Sequence, residues 1–348
     1  MKILFLYTEL AGYFVSCLHE LSKQVEEIHI VRWPVNKEAP FQFEFPENVV
    51  IYERERYTSY ELVALARSIK PDQIFCSGWI DKGYLKVCIA HKGKIPTVMS
   101  MDNHWNGSFR QRLMQLIAPW VIHRRFSHAW VPGMSQKAYA LKLHFNEQRI
   151  KTGFYSADTI HFSAISQKLQ SDKQENFPKR FLYVGRYIEV KGIFTLWNAF
   201  IRAVEQTNSS WELWCLGTGK LFNQRAEHSL IKHFGFVQPS EMESVIAQTG
   251  VFVLPSTFEP WGVAVHEMAA AGMPMLCSDK VGAATQFLQN GLNGFLFPTG
   301  NEEELTKLFV SIMQADDKTL LQMAKHGEQL AQQITPKIWA ETALSFTI

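Results

Sequence analysis

Short apolar runs alternate along the chain with segments of helical period, and this rhythm restricts the fold more than any other feature. In the first half KILFLY (2–7), EIHIVRW (27–33), NVVIYE (48–53), DQIFCSG (72–78), PTVMSMD (96–102) and SHAWVP (127–132) read as strands. Segments such as ELVALARSIK (61–70) between them read as helices. The runs are continuously apolar rather than alternating, as expected for parallel strands covered on both faces. A polar stretch, SQKLQSDKQENFPKR (166–180), interrupts the rhythm and reads as a linker. The pattern then restarts with FLYVG (181–185), WELWCLG (211–217), HFGFV (233–237), VFVLPS (251–256) and PMLCSD (274–279). Ile193, Leu196, Trp197, Phe200, Ile201 and Val204 mark one face of the helix after the first of these. Ser240 with Glu243 is read as a capping box for the helix preceding VFVLPS. The expectation is two doubly wound α/β domains facing each other, 1–165 and 166–331, with 332–348 as a further helical segment.

Composition narrows the class. With 348 residues, 47% apolar and 20% charged, the chain has material for two ordinary cores. Five cysteines (Cys17, Cys76, Cys88, Cys215, Cys277) lack CxxC spacing, which argues against a disulfide framework or zinc site and for a reducing cytoplasm. The opening MKILFLYTELAGYF is interrupted by Thr8 and Glu9 and lacks a small-residue cleavage site, so it reads as a first strand, not a leader. No run approaches the roughly 18 apolar residues of a membrane span. Residues 1–150 carry 19 Lys+Arg against 14 Asp+Glu, whereas the remainder carries 16 against 19. The excess is concentrated, because no acidic residue lies between Asp102 and Glu147, while Arg110, Arg112, Arg124, Arg125, Lys137 and Lys142 do. Within GSFRQRLMQLIAPWVIHRRFSHAW (107–130) these arginines mingle with Leu113, Leu116, Ile117, Trp120 and Phe126. Such a segment suits an anionic membrane surface or the pyrophosphate of a lipid-linked acceptor, and equally a core-packed helix with a solvated basic side. No helix-turn-helix, RRM or zinc-finger pattern accompanies the charge, so nucleic acid is not an expected partner.

The stretch FEPWGVAVHE (258–267) keeps two carboxylates in an apolar run. VFVLPS reads as a strand and VAVHEMAAAG as a helix that Gly272 ends, so Glu259 lies in the loop beyond a strand's carboxyl end, where open α/β sheets bind ligands. Glu267 lies early in the helix, where side chains lean back toward the N-terminus, so both can reach one ligand. A carboxylate only accepts hydrogen bonds, and its two oxygens suit neighbouring hydroxyls such as those of ribose or a hexose. The N–H groups at the helix start are open to a phosphate. A diphosphate beside two carboxylates needs cations, which YVGRYIEVKGI (183–193) offers in Arg186 and Lys191.

FEPWGVAVHEMAAAGMP resembles the E-x7-E segment of retaining GT-B glycosyltransferases of family 4 (glycosyl transferases group 1). VGRYIEVKG resembles that family's phosphate-binding segment, and LGTGKL (216–221), GFV (235–237) and NGFLFPTGN (293–301) follow in the family's order. The resemblance covers 178–331, while the first half agrees only in strand–helix order. It implies the GT-B fold: two Rossmann-like domains facing across a cleft, an N-terminal acceptor domain and a C-terminal nucleotide-sugar domain. It also implies a UDP- or GDP-sugar donor, transfer of a hexose with retention to a saccharide or lipid-linked acceptor, and a role in surface polysaccharide or glycolipid synthesis. Glu267 is assigned to the ribose hydroxyls, Glu259 to those of the transferred sugar, and Arg186 and Lys191 to the diphosphate. Gly217 falls in the donor-side LGTGKL motif, backbone groups of Phe236 and Val237 would meet the base, and those of Trp261, Gly262 and Val263 the sugar and phosphates. Trp261 replaces the family's usual Phe, with an expected effect on the sugar pocket. Asp102 stands where a histidine is common; it orients the acceptor or assists proton transfer, with His104 as a substitute and Arg110 beside it, or else it caps a turn. Gly12 gives close approach to the donor phosphates or makes an ordinary tight turn. No cofactor or required metal is expected, since the segment lacks DxD. The helix in TPKIWAETALSF (335–346) would cross back to the first domain, anchored by Trp339. The implied location is cytoplasmic, peripheral on the inner face of the membrane.

Three rivals share the architecture: a nucleotide-sugar epimerase, a sugar phosphorylase and a non-catalytic nucleotide-sugar-binding subunit. Other motifs fail on inspection. GTGK (217–220) lacks the first glycine of a P-loop, and HEMAA (266–270) lacks the second histidine of HExxH, leaving His266 as a helix-surface or supporting residue.

Overall fold

The structure, a computed structural model, describes residues 1–8, 10–34 and 44–347, so Glu9 lies outside the described residues. The chain divides into two compact units, 1–156 with 334–348 and 157–333. The first contains seven strands: β1 (Lys2–Tyr7), β2 (Glu27–Arg32), β3 (Val49–Glu53), β4 (Gln73–Ser77), β5 (Thr97–Ser100), β6 (His128–Trp130) and β7 (Ile150–Lys151). Its helices are α1 (Gly12–Ser22), α2 (Ser59–Ile69), α3 (Lys82–His91), α4 (Phe109–Val121) and α5 (Met134–Lys142). The strands are parallel in the order β3-β2-β1-β4-β5-β6-β7, with Leu4 paired to His29 on one side and to Ile74 on the other. Residues Ile3 to Leu6 are at most 1% exposed, the burial that their continuous apolarity anticipates.

The second unit begins with α6 (Thr159–Glu175) and continues through β8 (Arg180–Val184), α7 (Ile193–Thr207), β9 (Glu212–Leu216), β10 (Ile231–Gly235), α8 (Met242–Gln248) and β11 (Val251–Leu254). It ends with α9 (Val263–Ala270), β12 (Met275–Ser278), α10 (Ala284–Phe287), β13 (Gly294–Phe297), α11 (Glu302–Gln314) and α12 (Asp317–Ala331). Its sheet is parallel in the order β10-β9-β8-β11-β12-β13. Helix α7 buries Ile193, Leu196, Trp197 and Phe200 of the stripe its spacing predicts, while Ile201 and Val204 are half-buried.

Three sequence expectations require correction. The polar 166–180 stretch is not a linker, because most of it lies within α6, which buries Phe162, Ile165, Leu169 and Lys173 and turns most of its other polar residues outward. The unit boundary therefore falls at 156/157 rather than 165/166, and the second at 333/334 rather than 331/332. The capping box uses Gln238 and Glu241 around a 3-10 turn, Pro239–Glu241, not Ser240 and Glu243; Pro239 sets the turn two residues earlier. The third strand of the second sheet is Ile231–Gly235, so Phe236 and Val237 lie in the loop beyond it.

The final helix, α13 (Pro336–Leu344), belongs to the first unit and packs against α1. Trp339 is 1% exposed, donates from Nε1 to the Phe154 carbonyl at 2.7 Å, and packs against Trp130 at a centroid distance of 4.8 Å. Phe346 follows it into the same core. Trp339→Ala should therefore cost the first unit about 3–5 kcal/mol, read as an earlier urea transition while that of the second unit stays in place.

Candidate functional site

Both sheets reverse strand order beside their first strand, between β1 and β4 and between β8 and β11. Connections leave opposite faces there, opening a crevice at the strands' carboxyl ends. In the second unit the loops after β8 and β11 carry the expected residues. Arg186 is exposed and its side chain makes no hydrogen bond or ion pair among the described residues, while its carbonyl accepts from the Tyr183 hydroxyl at 3.0 Å. Lys191 closes a 3-10 turn, Glu189–Lys191, and its Nζ forms an ion pair with Glu259. The two side chains are 16% and 13% exposed, so the pair is largely shielded from water. Ser256 Oγ also donates to Glu259 at 3.4 Å. The Glu259 backbone is fixed by N–H donation to the Lys280 carbonyl at 3.2 Å and by acceptance from Gly282 at 3.0 Å.

Two glycines make this arrangement sterically feasible. Gly262 has φ +91°, and a Cβ there would lie 2.9 Å from Glu259 Cγ. Gly217, at the end of β9, has φ +131°, and a Cβ would meet the Gly185 carbonyl oxygen at 2.0 Å. The Tyr187 N–H donates to Thr218 at 2.8 Å, joining the loops after β8 and β9. Phe236 and Val237 are half-buried just beyond β10.

Helix α9 begins at Val263 with no side-chain cap, so its first N–H groups are open to an acceptor. The Trp261 ring lies inside the unit. It is 2% exposed and packs edge-on to Phe287, because the turn into α9 directs it into the core. His266 is likewise not a surface residue. It is fully buried and stacked on Phe287, its Nδ1 accepts from the Ala157 N–H at 3.0 Å, and its Nε2 meets the Ala331 carbonyl at 2.9 Å. It thereby pins α9 to the start of the unit and to α12. Glu267, one residue on, makes no side-chain hydrogen bond among the described residues. Burial, with a smaller contribution from the like charge of Asp158, pushes its pKa up to about 7.

The first unit holds a cavity of about 690 Å³ at its own reversal point. Asp102, Arg110, Tyr155 and Trp79 line it, as do Ala11 and Tyr13 beside Gly12; His104 does not. Asp102 lies two residues beyond β5 and accepts from the Tyr155 hydroxyl at 3.3 Å. Gly12 is the first residue of α1, not part of a tight turn, and a Cβ there would meet open space. Ser256, Tyr155 and Asp158 were missed by sequence reasoning. Asp158 could have been found as an N-cap, since it accepts from the His161 N–H, but nothing local marks Tyr155.

Residues 164–330 match the family described as Glycosyl transferases group 1. Among curated relatives, a lipopolysaccharide core biosynthesis glycosyltransferase, LpsE, of Rhizobium meliloti is 28% identical over 153 residues, covering 42% of each chain. A glycosyltransferase of Methanocaldococcus jannaschii is 29% identical over 124 residues, 33% of this chain and 31% of that one. A sucrose synthase of Melioribacter roseus is 34% identical over 91 residues, 25% of this chain and 11% of its own length. The chain thus matches less than half the length of each of these relatives. Among solved structures, Anabaena HepE, in complex with UDP and glucose, aligns with a TM-score of 0.72 at 17% identity, over 99% of this chain and 98% of that one. WaaG, a glycosyltransferase involved in lipopolysaccharide biosynthesis, aligns with a TM-score of 0.69 at 12% identity, over 99% and 98%. The fold is that of GT-B glycosyltransferases.

The raised pKa of Glu267 has a defined sign. A carboxyl held above its unfolded value destabilises the fold once it ionises, and the cost grows from the ordinary carboxyl range near 4.5 through about 7. Glu267→Gln should accordingly be more stable than wild type at pH 8, by on the order of 1–3 kcal/mol, with the difference closing below pH 4.5. Urea unfolding across this range measures it.

Proposed function

We propose, from the match of residues 164–330 to the family described as Glycosyl transferases group 1, that the chain is a retaining, family 4-like hexosyltransferase. It moves a hexose from a UDP- or GDP-sugar to a saccharide or lipid-linked acceptor in surface polysaccharide or glycolipid synthesis. The observation that carries this reading is the convergence, at the strand-order reversal of the second unit, of Arg186, the Lys191–Glu259 pair and the uncapped start of α9. Cations and helix N–H groups suit a diphosphate, and the two carboxylates suit vicinal hydroxyls. HepE was solved with UDP and glucose, which makes UDP the first base to test.

In transfer, the bond from the anomeric carbon to the diphosphate oxygen breaks and its electron pair leaves with the phosphate. An acceptor oxygen bonds the same carbon and passes its proton to the departing phosphate. Negative charge therefore grows on the leaving group, and Arg186 and Lys191 stabilise it without a required metal. In the free protein Lys191 is neutralised by Glu259. Donor binding exchanges this contact: phosphate oxygens take Lys191, and sugar hydroxyls take Glu259. Glu267 holds the ribose, while Phe236 and Val237 meet the base. In the first unit, Asp102 receives the acceptor hydroxyl with Arg110 beside it.

Calorimetric titration with UDP, GDP and ADP tests the donor site. One nucleotide should bind selectively, and Glu267→Ala should weaken it roughly ten- to a hundredfold. Lys191→Ala should lower turnover by about 10²–10³. Binding of no nucleotide defeats the reading. Nucleotide binding without transfer to any acceptor indicates the non-catalytic subunit, and conversion of the sugar without acceptor the epimerase.

A further inference from the structure

At one rung of the first sheet the core changes from apolar to hydroxyl-bearing. Phe5, Phe75 and Val98 belong to the core face shared with α1 and α13. Two residues further along the same strands, and so on the same face, stand Tyr7, Ser77 and Ser100. Ser77 pairs with Ser100 across the sheet, and its Oγ lies 3.1 Å from Thr8 Oγ1. These residues line the cavity of about 690 Å³, a volume typical of pockets that enclose small organic ligands. Tyr7 and Ser100 are 5% and 4% exposed, and their hydroxyls have no hydrogen-bond partner among the described residues. The fold therefore leaves polar capacity unused beside the cavity. Tyr13, Trp79 and Tyr155, all half-buried, add aromatic surface to the same space. Hydroxyls next to aromatic rings match a pyranose, whose edge is polar and whose C–H face is apolar.

Charge decides which pyranose. Among the described residues that line the cavity, only Asp102 and Arg110 carry a formal charge. Arg110 is exposed, so water and salt screen it. Asp102 is half-buried and held in place. Burial pushes the Tyr155 phenol well above its ordinary range, and this protonated hydroxyl donates to Asp102 Oδ2 at 3.3 Å. The chain on either side of Tyr155 is itself anchored. The Phe154 N–H donates to the Val131 carbonyl at 3.1 Å, the Phe154 carbonyl accepts from Trp339, and Ser156 is fully buried. A carboxylate on an entering sugar would bring a second negative charge to Asp102 where water is partly excluded, and the repulsion grows as the effective dielectric falls.

We infer that Asp102, positioned by Tyr155, selects by charge: the cavity takes an uncharged hexopyranose and refuses a uronic acid in its place. Sugar hydroxyls donate to Asp102 and meet the hydroxyls at the strand ends, while the C–H face of the ring lies against Trp79. That this sugar is the end of the acceptor rests on the transferase reading; the charge selection itself does not require a donor.

Saturation-transfer NMR on the full chain tests this with two matched pairs of probes. Methyl α-glucopyranoside and methyl α-galactopyranoside are neutral, and the corresponding methyl uronides differ from them only in a carboxylate. Wild type should bind the neutral probes and not the uronides. Trp79→Ala should weaken the neutral probes about threefold or more. Asp102→Asn should admit the uronides, with affinity raised on the order of tenfold at an unchanged melting temperature. A gain of this kind does not arise from lost packing. Uronides that bind wild type as well as the neutral probes overturn the proposal. So does an Asp102→Asn variant that gains nothing for them, or a wild type that binds none of the four. UDP and GDP titrations separate the two readings. Nucleotide binding without charge selection defeats only the selectivity, whereas charge selection without nucleotide binding defeats the transferase and leaves a neutral-sugar site.

Discussion

A parallel sheet must return each connection over one of its faces, and where strand order reverses, neighbouring connections depart to opposite sides. The loops at that point have no packed neighbour between them, so their backbone and side chains remain available. In the second unit the reversal lies between β8 and β11, and its two loops bear Arg186, Lys191 and Glu259. In the first unit the reversal lies between β1 and β4, beside the cavity with Asp102. The chemistry of each unit is concentrated where its topology leaves the sheet uncovered.

Charge in the second unit is balanced rather than simply accumulated. The Lys191–Glu259 pair is largely shielded, and desolvating either partner alone would be costly. A ligand must therefore supply an anion for one and hydroxyls for the other if both are to remain satisfied. Glu267 has no such partner among the described residues; burial, with a smaller contribution from the like charge of Asp158, pushes its pKa up to about 7. His266, adjacent in sequence, is committed to two backbone groups and holds α9 in place. Neighbouring residues on one helix thus differ: His266 is held by two backbone groups, while Glu267 makes no side-chain hydrogen bond among the described residues.

Local pattern made much of this legible. Continuous apolar runs indicated parallel, doubly covered strands, and Glu259 was placed beyond a strand end by the run before it. The 3.6-residue stripe of α7 and the glycine after α9 were equally direct signals. Reading failed where polar composition concealed a buried face. SQKLQSDKQENFPKR looked like a linker because α6 needs only one residue per turn inward, and most of its sequence faces solvent. The capping box was misplaced because Ser240 with Glu243 matches the sequence motif, whereas the backbone turns at Pro239 and pairs Gln238 with Glu241.

The sequence by itself determined the α/β class, the two sheets and the residues that bear charge at their loop ends, because period and turn chemistry act over a few residues. Tertiary structure decided what those residues face. Trp261 turns into the core, Tyr155 reaches Asp102 from 53 positions away, and α4 keeps four large apolar side chains outside. Such outcomes depend on which elements pack together in space, and no short-range pattern carries that information.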